Sequence, residues 1–310
     1  MNGQPLVTVN ILSYNRKNDL RNTLFKVFEQ DYKNIEVIVV DNSSTDGSSE
    51  MVKQEFPLVH LIKLYKNIGI AGWNEGFKIA KGEYVLVLDD DSYPENGTIL
   101  NGINEFNKNQ NLAVVAFGVY NTKLKVYETK DFLNPPFFFN GCGAVFRKSI
   151  FDITGYFNEM IFIYYHEFDF SAVVYDNGYD IMYIDDALIV HNQSKLSRGY
   201  QKNEDNPFKS AYHFYHYFIS LSIILIQKFS LYYIVLYLPK WFLNRLIVCL
   251  FNNYYKEYFK AIAYLFRYSV KILSKRKVLK KNVQKFYRYG NEALIDRTYF
   301  PNFKKPRFLK

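Results

Sequence analysis

Three consecutive acids, Asp89, Asp90 and Asp91, directly follow the apolar run EYVLVL at 83–88. Carboxylates this close repel one another, so a cation is their natural partner. An oxygen donor set suits Mg²⁺ or Mn²⁺, which commonly bridge to substrate phosphates. Open α/β sheets bind ligands beyond the carboxyl ends of their strands, where these acids fall. Asp41 follows a second apolar run, IEVIVV at 35–40, and opens the polar turn DNSSTDGS. A carboxylate there can accept hydrogen bonds from a ribose or a base. Ser13, Tyr14 and Asn15 follow a third run, LVTVNILSY at 6–14, so three strand ends present polar groups on one rim. Gly69, Gly72 and Gly76 lie in NIGIAGWNEG at 67–76, where backbone can approach a ligand closely. This run is neither a GxGxxG fingerprint nor a GxxxxGK[ST] loop, which argues against dinucleotide and P-loop sites.

The elements that position these groups follow from periodicity. Residues 17–29 carry Leu20, Leu24, Val27 and Phe28 on one helical face. A helix is expected at 48–55, a strand at 59–64, and a helix over 72–81 entered through Gly72 and Asn74. Strand–helix alternation with nearly continuous apolar strands predicts an α/β unit whose parallel sheet is covered on both faces. Beyond it, a helix at 97–109 precedes a strand at 112–120. Residues 137–159 suggest a strand, a glycine-bearing turn and a short helix. A helix at 167–177 and a strand at 179–190, ending on His191, bring the body to a close near residue 200.

The chain has 310 residues, of which 49% are hydrophobic and 22% charged, so a mostly disordered chain is excluded. Cys142 and Cys249 form no CxxC and no disulfide framework. The N-terminus has no basic segment followed by an apolar one, so no cleaved leader is expected and the chain is expected in the cytoplasm. The net charge of +9 is unevenly spread. Residues 201–310 hold 21 Lys and Arg against 5 Asp and Glu, and residues 1–200 hold 18 against 25. Such asymmetry points to a polyanion. The basic segment from 207 is also aromatic and apolar, but its most hydrophobic window, 217–238, is interrupted by Gln227-Lys228 and limited by Pro239. Its helices could pack on the body, lie in a membrane interface or span the bilayer. Tyr, Phe and Trp beside Lys and Arg favour the interface and an anionic membrane surface. Nucleic acid is not expected, because no recognisable module is present and the basic residues are diluted by apolar runs.

Read together, VTVNILSYNR, VIVVDNSSTDGS, NIGIAGWNEGFKIAKGEYVLVLDDDSYP, FNGCGAVFRKSIFDITGYFNE and HEFDF…NGYDIMYIDDALIVH resemble a family 2 glycosyltransferase. The likeness is to its rhamnosyltransferase-like bacterial branch and covers roughly residues 5–200. It implies the GT-A fold, a mostly parallel central sheet flanked by helices, with residues 1–206 as the transferase and 207–310 as a helical extension. It further implies inverting, metal-dependent transfer of a sugar from a UDP-, dTDP- or GDP-linked donor.

By position in those motifs, Asp41 would hold the nucleoside, with Ser13, Tyr14, Asn15, Arg16, Asn67, Gly72 and Asn74 lining the same pocket. Asp89 and Asp90 would face the donor, and Asp89, Asp91 and His191 would hold the divalent cation. Gly141, Gly143 and His166 would lie on the acceptor side. Glu167 aligns with the catalytic base and Asp169 with a supporting acid. Two departures weaken the acceptor side: Val173 stands where the family often has Arg, and Asn158 replaces an Asp.

The expected function is therefore a hexosyl- or deoxyhexosyltransferase acting on a cell-surface glycan or polyprenyl-linked acceptor, held peripherally at the cytoplasmic membrane face, with oligomers possible. A non-catalytic nucleotide-sugar-binding or scaffold protein of the same fold is the competing reading. A nucleotidyltransferase could use a strand-end DxD but has no need of HEFDF at this spacing.

Overall fold

A computed structural model describes residues 3–129, 135–192 and 210–287. The first half alternates as expected: β1 (Val7–Ser13), α1 (Lys17–Phe28), β2 (Ile35–Asp41), α2 (Ser48–Glu55), β3 (His60–Lys63), a short 3₁₀ turn (Gly69–Gly72), α3 (Trp73–Ile79) and β4 (Tyr84–Asp89). There follow β5 (Ser92–Pro94), α4 (Thr98–Lys108), β6 (Leu112–Asn121), β7 (Val126–Thr129), β8 (Gly143–Arg147), α5 (Ile150–Thr154), α6 (His166–Asp176) and β9 (Asp180–His191). The glycine-bearing turn thus precedes the strand expected in 137–159. The expected closure near 200 and the boundary at 206 lie outside the described residues.

The strands form one sheet in the order β3-β2-β1-β4-β8-β6-β9-β5, with β7 added beside β6. The β3-β2-β1-β4 half is parallel. The other half is mixed: β8 runs against both β4 and β6, and β5 against β9. The sheet is therefore not parallel throughout, because β8 enters between two strands from the opposite end.

Successive residues of the central strands feed opposite cores. Val7, Val9, Ile11, Leu86 and Leu88 pack with Leu20, Leu24 and Val27 of α1. Ile38, Val40, Val85 and Val87 pack with Trp73, Phe77, Phe146 and Phe170 on the other face.

The extension includes α7 (Ala211–Lys228), α8 (Leu231–Asn252), α9 (Tyr255–Arg267) and α10 (Ser269–Ser274), and residues 281–287 are again helical. The hydrophobic window at 217–238 is divided between α7 and α8 at Phe229-Ser230. Pro239 does not end a helix, contrary to expectation: α8 runs through it. A third core joins Phe214, Phe218 and Trp241 of the extension to Phe168 and Ala172 of α6. Helix α6 thus lies between two cores, with Phe170 and Val174 on the body side and Phe168 and Ala172 on the extension side.

Candidate active site

Strand register assembles the rim. Ser13 pairs with Asp41 and Leu12 with Asp89, so β1, β2 and β4 end together. The chain after β1 is stitched to the turn after β2: the Asn15 N–H donates to Ser44 Oγ (2.9 Å), and the Thr45 N–H donates to Asn15 Oδ1 (2.7 Å). Asn15 itself adopts a left-handed backbone. Tyr14 stands half-exposed between them, whereas Ser13 is buried.

Asp41 is wholly buried. Its carboxylate accepts from the Ser44 N–H at 2.7 Å and from the Ser49 hydroxyl, so it builds the turn. Asn42 carries the next connection, accepting from the Ile68 N–H and donating to the Gly69 carbonyl. Asn67 turns the same loop by accepting from the Gly69 N–H at 2.8 Å. A Cβ on Gly72 would lie 2.4 Å from Leu12 Cδ1, so a larger residue here would have to displace the Leu12 side chain of β1. Asn74 has both amide atoms committed to the Phe157 backbone, donating at 2.9 Å and accepting at 3.1 Å. It is a brace across 83 residues of chain rather than an open donor contact.

The acids at the end of β4 are compensated from two sides. Arg16 Nη1 lies 3.1 Å from Asp90 Oδ1 and 2.6 Å from Asp91 Oδ2. Burial works against the Arg16 charge, but Asp90, Asp91 and Asp89 outweigh it and raise its pKa. Burial is also the main influence on Asp90; with Asp91 and Asp89 it holds that carboxyl above its ordinary range against the pull of Arg16. On the other side, β5 pairs Ser92 with His191 of β9. His191 Nε2 comes to 3.2 Å from Asp91 Oδ1, and its Nδ1 to 2.7 Å from Glu128 Oε2 on β7. Asp89, Asp91 and His191 each offer a donor atom within 4.8 Å of the others. Two carboxylates and an imidazole fit Mn²⁺ well, and fit Mg²⁺ less well because it prefers oxygen.

The acceptor-side residues meet these acids through β8. Its antiparallel pairing sets Gly143 beside Leu88, and the Ser92 hydroxyl donates to the Cys142 carbonyl at 2.8 Å. Gly143 is packed on Ile189, where a Cβ would come within 2.3 Å. A Cβ on Gly141 would lie 2.7 Å from His166 Nε2 and 2.8 Å from Glu167 Oε1. The glycine loop therefore links Asp89 to the start of α6. His166 packs on Trp73 and Phe157, and burial lowers its pKa to about 4, leaving it neutral beside Glu167. Its Nδ1 lies 3.1 Å from Glu167 Oε2. Two successive left-handed residues, Tyr164 and Tyr165, deliver the chain into this helix.

Asp169 points away from this groove. It is buried 3.9 Å from Lys228 of α7 and lines a cavity of about 270 Å³ with Asn158, Val173, Gln227 and Lys275. The two positions that depart from the family pattern therefore face this seam, and Asn158 donates to Gln227 Oε1 at 2.8 Å. Sequence reasoning missed Glu128, Asn42 and Lys228. Only Asn42, inside the turn after β2, carried a local signal.

A sheet of this order, with an Asp–Asp–His cluster where β4 and β9 end, is that of the GT-A fold. The family described as Glycosyl transferase family 2 matches residues 8–167, over half of the chain, and the chain belongs to that family. It is 35% identical over 94 residues to the putative teichuronic acid biosynthesis glycosyltransferase TuaG of Bacillus subtilis (strain 168), a match covering 29% of this chain and 37% of that protein. It is 40% identical over 90 residues to the UDP-Glc:alpha-D-GlcNAc-diphosphoundecaprenol beta-1,3-glucosyltransferase WfaP of Escherichia coli, covering 28% and 36%. The chain thus matches little more than a third of the length of either relative.

Among solved structures, mannosyltransferase PcManGT from Pyrobaculum calidifontis, in complex with GDP-Man and Mn²⁺, superposes with a TM-score of 0.54 at 21% identity, over 96% of this chain and 83% of that one. GalNAc-T7 with UDP, GalNAc and Mn²⁺ gives 0.60 at 12% identity, over 86% and 58%. At these identities the likeness is one of fold.

Proposed function

We propose that the chain is an inverting, metal-dependent glycosyltransferase. It moves a hexosyl or deoxyhexosyl unit from a nucleoside diphosphate to a hydroxyl of a cell-surface glycan or polyprenyl-linked acceptor. The observation that carries this reading is the convergence of Asp89, Asp91 and His191 with Glu167 across the glycine loop at Gly141. The nucleoside runs along Ser13 to Arg16 and the 67–72 loop, with Asp41 acting through the turn it builds. Asp89, Asp91 and His191 would hold a divalent cation, which would offset the diphosphate charge when bound. Arg16, already beside Asp90 and Asp91, supplies a second positive charge there.

Glu167 takes the proton of the acceptor hydroxyl as its oxygen bonds to the anomeric carbon. The bond from that carbon to the diphosphate breaks, and the nucleoside diphosphate leaves with the electron pair. Neutral His166 puts no positive charge beside this carboxylate that would lower its basicity. The activity of the Escherichia coli relative, on a diphosphoundecaprenol-linked sugar, supports a lipid-linked acceptor, and such an acceptor suits an enzyme held peripherally at the cytoplasmic membrane face. Residues 1–206 would then serve as the transferase and 207–310 as the membrane-facing extension.

Assaying UDP-, dTDP- and GDP-sugars for transfer or hydrolysis with Mn²⁺ and Mg²⁺ tests this. Asp91→Ala and chelation are each expected to abolish turnover and metal-dependent donor binding. Full activity in EDTA would remove the metal from the mechanism, and no turnover of any donor would overturn the transfer itself.

A further inference from the structure

Helix α8 carries its apolar residues on the wrong side for water. Leu231, Val235, Pro239, Leu243, Ile247 and Leu250 are exposed and recur every three or four residues, so they form one stripe. Leu231 and Val235 are 72% and 73% exposed. The inward side holds Trp241, Arg245 and Cys249, with the Arg245 guanidinium 4.3 Å from the Trp241 ring. A water-facing helix puts its charges outside and its apolar stripe inside.

At 22 residues the helix is about 33 Å long, and the stripe runs along most of it. Nearby, α9 exposes Phe259 and Phe266 between Lys256, Lys260 and Arg267. Residues 210–287 contain thirteen Lys and Arg and a single acid, Glu257. A second copy of this chain would bring like charge to the contact, whereas an anionic leaflet complements it.

We infer that α8 lies in the plane of the membrane interface with this stripe among the acyl chains, half-embedded and not spanning. The inference rests on the membrane reading above. The inward side of α8, at Trp241, Arg245 and Cys249, is buried in the extension, whose helices α7 and α9 bear Lys228, Lys256, Glu257 and Lys260, groups that a bilayer core rejects.

Flotation of the full chain tests this, with vesicles of phosphatidylcholine alone and of equal parts phosphatidylcholine and phosphatidylglycerol. The wild type is expected to float with the anionic vesicles. Leu243→Glu with Ile247→Glu is expected to cut binding about tenfold or more, the loss implied by one or two leucine-sized contacts. The milder pair Leu243→Gln and Ile247→Gln is run alongside, both at unchanged melting temperature, and Ile79→Glu on α3 serves as the unaffected control. If the variants float like the wild type, the stripe is overturned and the membrane reading stands. If the wild type floats with neither vesicle, both fall. A wild-type dimer that the variants dissociate, without flotation, assigns the stripe to a second copy instead.

The geometry points, independently, to Glu128 as the positioning residue for His191. Asn121 of β6 pairs with His191 on one side and Val126 on the other, which brings β7 against β9's end. Asn121 Oδ1 accepts from the Lys123 and Leu124 N–H groups, so its amide nitrogen must face Glu128, to which it donates at 2.7 Å. Glu128, so fixed, takes His191 Nδ1 at 2.7 Å and turns Nε2 toward Asp91. Carboxylates placed behind a ligating histidine typically account for 10–100-fold in metal affinity.

Mn²⁺ titration followed by electron paramagnetic resonance, without substrate, tests this. Glu128→Gln is expected to weaken Mn²⁺ by about that factor, with turnover recovering at saturating Mn²⁺ and Glu128→Asp restoring part of the affinity. Unchanged Mn²⁺ affinity in Glu128→Ala, where His191→Ala loses it, would overturn the role of Glu128 alone. A wild type that binds no Mn²⁺ would overturn the metal site itself.

Discussion

Glu167 opens a helix, where the dipole favours a carboxylate whether or not it does chemistry, so its neighbours must decide its role. Gly141 leaves just enough room for its Oε1, and a neutral imidazole stands beside it. Glu167→Gln is therefore expected to lower transfer by roughly 10²–10⁴ while donor affinity stays within a few-fold. Steady-state rates beside nucleotide titrations separate the two, and a larger loss in Asp169→Asn would mean the other carboxylate is the base. That Asp89, Asp91 and His191 come together was legible because Asp89 and His191 end apolar strands and Asp91 lies two residues past the first. Glu128 was not: it sits on a short hairpin strand, and its partner His191 lies 63 residues away. Asp41 and Asn74 show the reverse. Their residue types suit a donor pocket, and nothing in the sequence signalled that they also brace the chain through Ser44, Ser49 and the Phe157 backbone.

At the scale of elements, hydrophobic period located the first-half strands and helices to within about two residues, the usual boundary error. Strand direction was less legible. A buried apolar strand reads alike whether its neighbour runs with it or against it, so nothing in GAVFR announced that β8 opposes both β4 and β6. Yet that reversal brings the glycine loop to Asp89. Pro239 misled for a different reason. A proline inside a helix costs about 3 kcal/mol in isolation, but Trp241, Arg245 and Cys249 anchor the following turns of α8 in the extension's core.

For the molecule as a whole, the seam between body and extension is electrostatically poised. Burial raises the Asp169 carboxyl above its ordinary range, opposed by Lys228, Asn158 and His166. A carboxyl raised in the fold adds stability below the ordinary carboxylate range and loses it as pH rises through the raised value. Asp169→Asn is thus expected to resist urea better than the wild type at neutral pH, with the gap closing toward acid. Unfolding curves across that range check it, and a gap that widens toward acid would mean that the attraction of Lys228 outweighs burial.

The two-sided seating of α6 also bears on how the protein can be divided. A cut before α7 would strip Phe168 and Ala172 of their cover, and the helix that starts with Glu167 would keep only its sheet-side support through Phe170 and Val174. The extension is in this sense a thrust bearing for the carboxylate proposed as the base as well as the proposed mooring. A fragment made soluble by trimming would lose both at once, and its silence in an assay would say nothing about which one mattered.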